Sequence, residues 1–266
     1  MTSPTLRNLP HVASKNRHWL GLGSLLAGFF GWWLVARISG LPAFILPSPS
    51  DVWSRFLKAL LDGSLPINTG VTLLEILLGL LTGVLLATVL GYLVAKSRAL
   101  ERILSPYLVA SQAVPLVAIA PLLVIWFGPG MFSKVLICAL IVFFPVLVNT
   151  VVGVRAVPPA LHDLMNSLRA TRREILFKLE IPAALPVFFG GLRIGATLSV
   201  IGAVVGELVG ADNGLGFLIN VGRGQYDTAL VFVAVFTLIA LALSLYGIVA
   251  WFEKRFLIWQ EISQNL

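Results

Sequence analysis

Apolar residues run through this chain in stretches of about 20 separated by short polar connectors, and such a stretch crosses roughly 30 Å of hydrocarbon as a helix. The pattern predicts spans over 19–38, 68–95, 103–127, 135–154, 188–209 and 228–251. Helices are required because lipid cannot hydrogen-bond backbone groups. The alternating segments of about ten residues that mark a membrane barrel are absent. Pro115 and Pro121 break the regularity of the third run, and Gly128-Pro129-Gly130 turns the chain into the fourth.

The connectors carry their own signals. Ser48, Pro49 and Asp51 stand where an N-cap, a first-turn proline and a capping acid belong. Behind them Val52, Trp53, Phe56, Leu57, Leu60 and Leu61 recur at helical spacing among Asp51, Arg55, Lys58 and Asp62. Too short and too charged to span, this segment (about 49–62) is expected to lie at the outer membrane interface. Residues 1–18 read as a polar tail and 210–227 as a glycine-rich outer loop.

Composition sharpens this picture. Charged residues make up 12% of the 266 positions, about half the share usual in soluble domains. A net charge of +7 in a soluble protein points to nucleic acid; here it orients the chain, because Lys and Arg stay on the cytoplasmic side. With the N-terminus inside, 14 basic residues fall in inner segments and 5 in outer ones. Both termini and the connector 155–185 are therefore expected in the cytoplasm, and no nucleic acid partner is implied. The run 19–38 is too long for the apolar core of a cleaved leader and reads as a retained span. Cys138 stands alone, and His11, His18 and His162 have no metal-ligand spacing. There is no paired-carboxylate motif, no activated nucleophile and no Gly-x-x-x-x-Gly-Lys-Ser/Thr phosphate loop. No catalytic residue and no metal site is assigned.

The connector 155–185 has the densest pattern. Leu161, Leu164, Met165 and Leu168 form one helical face. Thr171 and Glu174 form a capping box that opens a second helix; Ile175, Leu176 and Leu179 give it an apolar side, and Pro182 is expected to end it. The residues leave two readings open: a docking element for a partner groove, or a surface hairpin linking two spans.

These residues resemble the Glu-Ala-Ala loop of permease subunits of binding-protein-dependent ATP-binding-cassette (ABC) importers. Asp163 takes the place of the Glu, Arg169 that of the Gly, and Ile181-Pro182 that of the closing pair, with Ala183-Ala184-Leu185-Pro186 continuing the match. Leu46-Pro47-Ser48-Pro49, Gln112-Ala113-Val114-Pro115, Trp126-Phe127-Gly128, Phe144-Pro145, Asn149-Thr150 and Gly206-Glu207 extend the likeness over most of the chain. Arg169 departs from the pattern. A left-handed bend there costs Arg about 1–2 kcal/mol, so the bend either shifts or is compensated.

The resemblance implies an all-α type I importer permease of about six transmembrane helices, multi-pass in a bacterial inner membrane. It implies ABC ATPase subunits, an extracytoplasmic substrate-binding protein and a second copy of the chain as partners. No cofactor is implied in the chain itself, ATP and Mg residing on the ATPase. Asp163, Leu164, Leu168, Arg169, Ala170, Arg172, Arg173 and Pro182 become candidate ATPase-coupling residues. For the arginines, positive-inside orientation with phospholipid contact is the plainer alternative. The branch resembled serves sulfonate, taurine, nitrate, riboflavin and thiamine-pyrimidine import, and the stretches 143–154 and 204–207 favour riboflavin or a pyrimidine.

Polar residues inside the spans are candidates for the pathway, since such groups face cavities rather than lipid. They are Glu207, Glu75, Ser111, Gln112 and Asn149; the alternatives are interfacial acids for the two Glu and helix–helix contacts for the rest. An ion-coupled secondary transporter is the alternative of another class, but neither matching halves nor a buried acid–His relay supports it.

Overall fold

The computed structural model describes residues 17–113 and 115–257. Most of the expected N-terminal tail therefore lies outside the described residues. Every regular element described is helical: α1 (Arg17–Ile38), α2 (Pro49–Leu61), α3 (Ser64–Lys96), α4 (Arg98–Ala113), α5 (Leu116–Phe127), α6 (Met131–Arg155), α7 (Pro159–Ser167), α8 (Arg172–Ile175), a π-helical turn (Leu176–Glu180), α9 (Ile181–Leu208), α10 (Leu215–Gly224) and α11 (Thr228–Phe256). Among the described residues, four helices are long and apolar enough to cross a membrane: α3, α6, the continuous helix Arg172–Leu208, and α11. Two shorter apolar segments, Leu26–Ile38 and Val117–Phe127, complete the set of about six.

Three expectations needed correction. The third run is two helices, not one kinked helix. Pro115 is extended (φ −69°, ψ 104°) and opens α5, as fits a residue that has no N–H to continue a helix; Pro121 stays inside α5. Pro182 does not end the second loop helix. The preceding turn widens so that Ile181 N–H donates to Leu176 O, five residues back, and Pro182, which has no N–H to donate, follows that turn into α9. Finally, the glycine-rich segment 210–227 contains α10, whose Leu215 and Leu218 are buried.

The centre of the bundle is α3, α6 and α9. Gly79, Gly83, Ala87 and Gly91 recur every four residues on α3 and are all buried. A Cβ at Gly83 would lie 2.7 Å from Ala139 O on α6, and one at Gly202 on α9 would lie 2.9 Å from Cys138 Cα. Gly79 also abuts Cys138, so this fully buried cysteine marks where the three helices meet. Small residues are what allow membrane helices to approach this closely.

Ion pairs tie the periphery to this core. Arg193 on α9 pairs with Glu253 on α11 and lies over the Tyr246 ring at 5.6 Å. Arg155 Nη2 donates to Glu101 Oε2 at 2.8 Å, joining α6 to α4, and this bond holds the Glu101 carboxyl below the usual carboxylate range. At the other end, the Ser48–Asp51 capping box is formed, and Val52 and Ala59 of α2 are buried. Arg55 Nε meets Asp227 Oδ2 at 2.6 Å, fixing α2 to the start of α11. The Trp32 indole donates to Pro47 O at 3.2 Å and stacks on Phe232 at 5.4 Å, which holds α1 against α11.

If close approach at α3–α6 sets the packing, Gly83→Val should destabilise the protein by about 1–3 kcal/mol through overpacking. Gly247→Ala, with nothing within 4 Å of the added methyl, should not. Thermal unfolding of both variants in detergent checks this.

Candidate coupling loop and interior polar cluster

The connector after α6 is built by two local devices. Pro158 precedes α7, with Pro159 in its first turn. At its far end Ala170 N–H donates to Met165 O at 3.0 Å and Arg169 N–H to Asn166 O at 2.9 Å, the paired bonds of a Schellman cap. Arg169 occupies the left-handed position of that cap, with φ +54°. The bend has therefore not shifted. Thr171 then opens α8: Glu174 N–H donates to Thr171 Oγ1 at 3.3 Å and Thr171 N–H to Glu174 Oε2 at 2.9 Å.

What the loop presents is an apolar face with basic flanks. Leu161, Leu164 and Leu168 are 41%, 54% and 69% exposed, so nothing described in this chain covers the face. Asp163, Arg169, Arg172 and Arg173 are exposed and Ala170 is half-buried. Arg173 lies over the exposed Phe177 ring at 5.8 Å. Pro182 stands apart from this surface, inside the helix entering the bundle. Just before it, Glu180 is buried and accepts from Tyr92 and Lys96 of α3 and contacts His162 of α7; none of these four was singled out from the sequence.

Among the described residues, the polar candidates Glu75, Glu207 and Asn149 do not form one lining. Glu207 and Glu75 come together, both fully buried. Glu207 Oε1 accepts from Thr72 Oγ1 and Oε2 from Gly216 N–H, each at 2.6 Å. Asn68 Oδ1 accepts from Gly214 N–H at 2.6 Å, and Thr72 Oγ1 accepts from Leu215 N–H at 2.8 Å. Three donors at the start of α10, orphaned by helix geometry, are thus capped by residues of α3 and α9. Gly214 sits at φ +116°, and a Cβ there would collide with the Glu207 carboxyl. Glu75 pairs with Lys134 Nζ of α6 at 3.0 Å. Sequence reasoning missed Asn68, Thr72 and Lys134, although Asn68, Thr72 and Glu75 share one face of the second run at i, i+4 and i+7.

Asn149 is elsewhere. Its Nδ2 donates to Pro145 O of its own helix at 2.8 Å, and Gly191 of α9 packs against it. The side chains of Ser111 and Gln112 lie outside the described residues.

A family model described as the binding-protein-dependent transport system inner membrane component matches residues 79–258. The chain belongs to that family. A riboflavin transport system permease protein of Chloroflexus aurantiacus is 45% identical over 263 residues, 97% of this chain and 98% of that protein. A formylaminopyrimidine transport permease protein of Halalkalibacterium halodurans is 36% identical, over 86% and 91%. The fold is shared with a solved amino acid ABC transporter at TM-score 0.55 and 19% identity, covering 76% of this chain and 96% of that one. The permease is thus a multi-pass membrane protein of the ABC transporters, and the family match includes the α7–α8 loop and Glu207.

Because the residue at the left-handed position carries a Cβ, Arg169→Gly should stabilise the turn by about 1 kcal/mol. Hydrogen exchange of the Ala170 amide should slow by about fivefold in the variant; unchanged exchange would show that Arg169 is unstrained.

Proposed function

We propose that this permease, paired with a second copy of itself, forms the translocation pathway of an importer that moves riboflavin across a bacterial inner membrane. The observation that carries the solute is end-to-end similarity to a riboflavin permease. The formylaminopyrimidine permease is the next reading; both solutes are nitrogen heteroaromatics. Sulfonate, taurine or nitrate import by the same machinery is the alternative that the experiment separates. Strains lacking the permease should lose uptake of labelled riboflavin and keep that of taurine. Loss of taurine uptake with riboflavin uptake intact would replace the solute assignment. Uptake that survives ATP depletion under an ion gradient would overturn the importer reading itself.

In this reading both termini and the α7–α8 loop face the cytoplasm. The apolar face of Leu164 and Leu168 enters a groove of the ATPase, with Asp163, Arg169, Ala170, Arg172 and Arg173 at its edge; Arg forks suit acidic groups around such a groove. ATP and Mg are held by that ATPase, and an extracytoplasmic binding protein delivers the solute at the opposite end. Ser111, Gln112 and Asn149 remain candidates for solute contact, whereas Glu207 acts from within the protomer by fixing α10 and Glu75 by pairing with Lys134 of α6.

Replacing both Arg172 and Arg173 with Ala should lower ATPase recovery on co-purification severalfold while membrane insertion stays intact. Equal recovery would remove the two arginines from the docking surface.

A further inference from the structure

In the docking reading the loop acts on the spanning helices: α8 runs into α9 as one helix, whereas α7 reaches the bundle through side chains. No residue of α7 is buried. Among the described residues, His162 of α7 makes a polar contact with the bundle, its Nε2 lying 3.1 Å from Glu180 Oε1. Glu180 is 2% exposed and ends the π-helical turn that leads into α9. Its carboxylate also accepts from Tyr92 OH at 3.1 Å and from Lys96 Nζ, both near the end of α3. One carboxylate therefore joins α7, α3 and the entry to α9.

Two clefts border this junction. A cavity of about 390 Å³ lies on its bundle side, walled by residues such as Val89, Ala184 and Phe188. A second, of about 400 Å³, lies on its loop side beside His162, Arg172 and Ile175. Tyr92 and Glu180 border both. The π turn adds a backbone element with one residue more than an α turn, a feature concentrated at functional sites.

We propose that Glu180 is a positioning residue for coupling: through His162, Lys96 and Tyr92 it carries displacement of the α7–α8 loop into α3 and α9. The proposal rests on the reading that the loop docks an ATPase. Charge-assisted bonds to a buried carboxylate resist shear more than apolar contacts do, so α7, α3 and the start of α9 shift together rather than slide.

The test uses the complete transporter in vesicles, with riboflavin as probe and hydrolysis stimulated by the loaded binding protein. Glu180→Gln keeps the shape and removes the charge; it should retain ATPase co-purification but lower the riboflavin moved per ATP by about tenfold, within the usual range of coupling between sites. Lys96→Met should act in the same direction, and the double variant should be no worse than Glu180→Gln alone because one contact is shared. Tyr92→Phe, which removes only a hydroxyl, should give a smaller decrease and guards against a folding artefact. An unchanged ratio, or transport and hydrolysis falling together, overturns the proposal. Loss of ATPase recovery in Glu180→Gln also overturns it, assigning Glu180 to loop shape. Failure of the docking reading is seen separately, as undiminished ATPase recovery in the Arg172/Arg173 variant.

Discussion

Hydrocarbon gives no hydrophobic reason for two apolar helices to touch, because lipid tails are as apolar as Leu. The close approach of α3, α6 and α9 is therefore the contact on which the rest of the structure depends. It is made by absent side chains: Gly79, Gly83 and Gly91 on α3 and Gly202 on α9 bring backbones against α6, where dispersion between close-packed atoms replaces solvent exclusion. Once the three helices are this close, their few polar residues cannot reach water and have to find one another. Lys134 meets Glu75, and Glu207 meets Thr72 and the start of α10.

The two ends of the bundle are finished by the same device. α7 closes in a Schellman turn with Arg169 at φ +54°, and α10 closes in another with Tyr226 at φ +55°. In the second, Asp227 N–H donates to Gly222 O at 2.8 Å, the Asp227 carboxylate holds Arg55, and the Tyr226 ring meets Phe44 edge-on. A non-glycine residue in this conformation is costly, so each bend is held by bonds on both sides. Arg169 is exposed beside the uncovered leucines of α7, which is where strain and function tend to coincide.

Several features were legible in the sequence because they are local or periodic. The apolar runs marked the spans, Ser48–Asp51 and Thr171–Glu174 marked two helix starts, and the bend at Arg169 lay where the loop pattern put it. Other features were legible but overlooked: the four-residue repeat of Gly79, Gly83, Ala87 and Gly91, and the face shared by Asn68, Thr72 and Glu75. The course of the chain through Pro182 was not legible, because a proline ends a helix by default and only the widened turn before it permits passage. The segment 210–227 read as a loop because its glycines suppress helix propensity; the first N–H groups of the helix there are accepted by side chains more than a hundred positions away.

By itself the sequence determined that this is a multi-helix membrane protein with a structured loop of the ABC permease kind, since run length, capping chemistry and loop motif are properties of neighbouring residues. Only the tertiary structure decided which groups the buried charges meet. That Glu207 meets the start of α10, and that Glu180 meets residues of α3 and α7, depends on which helices lie beside each. Burial and partner geometry are long-range quantities that no local pattern contains.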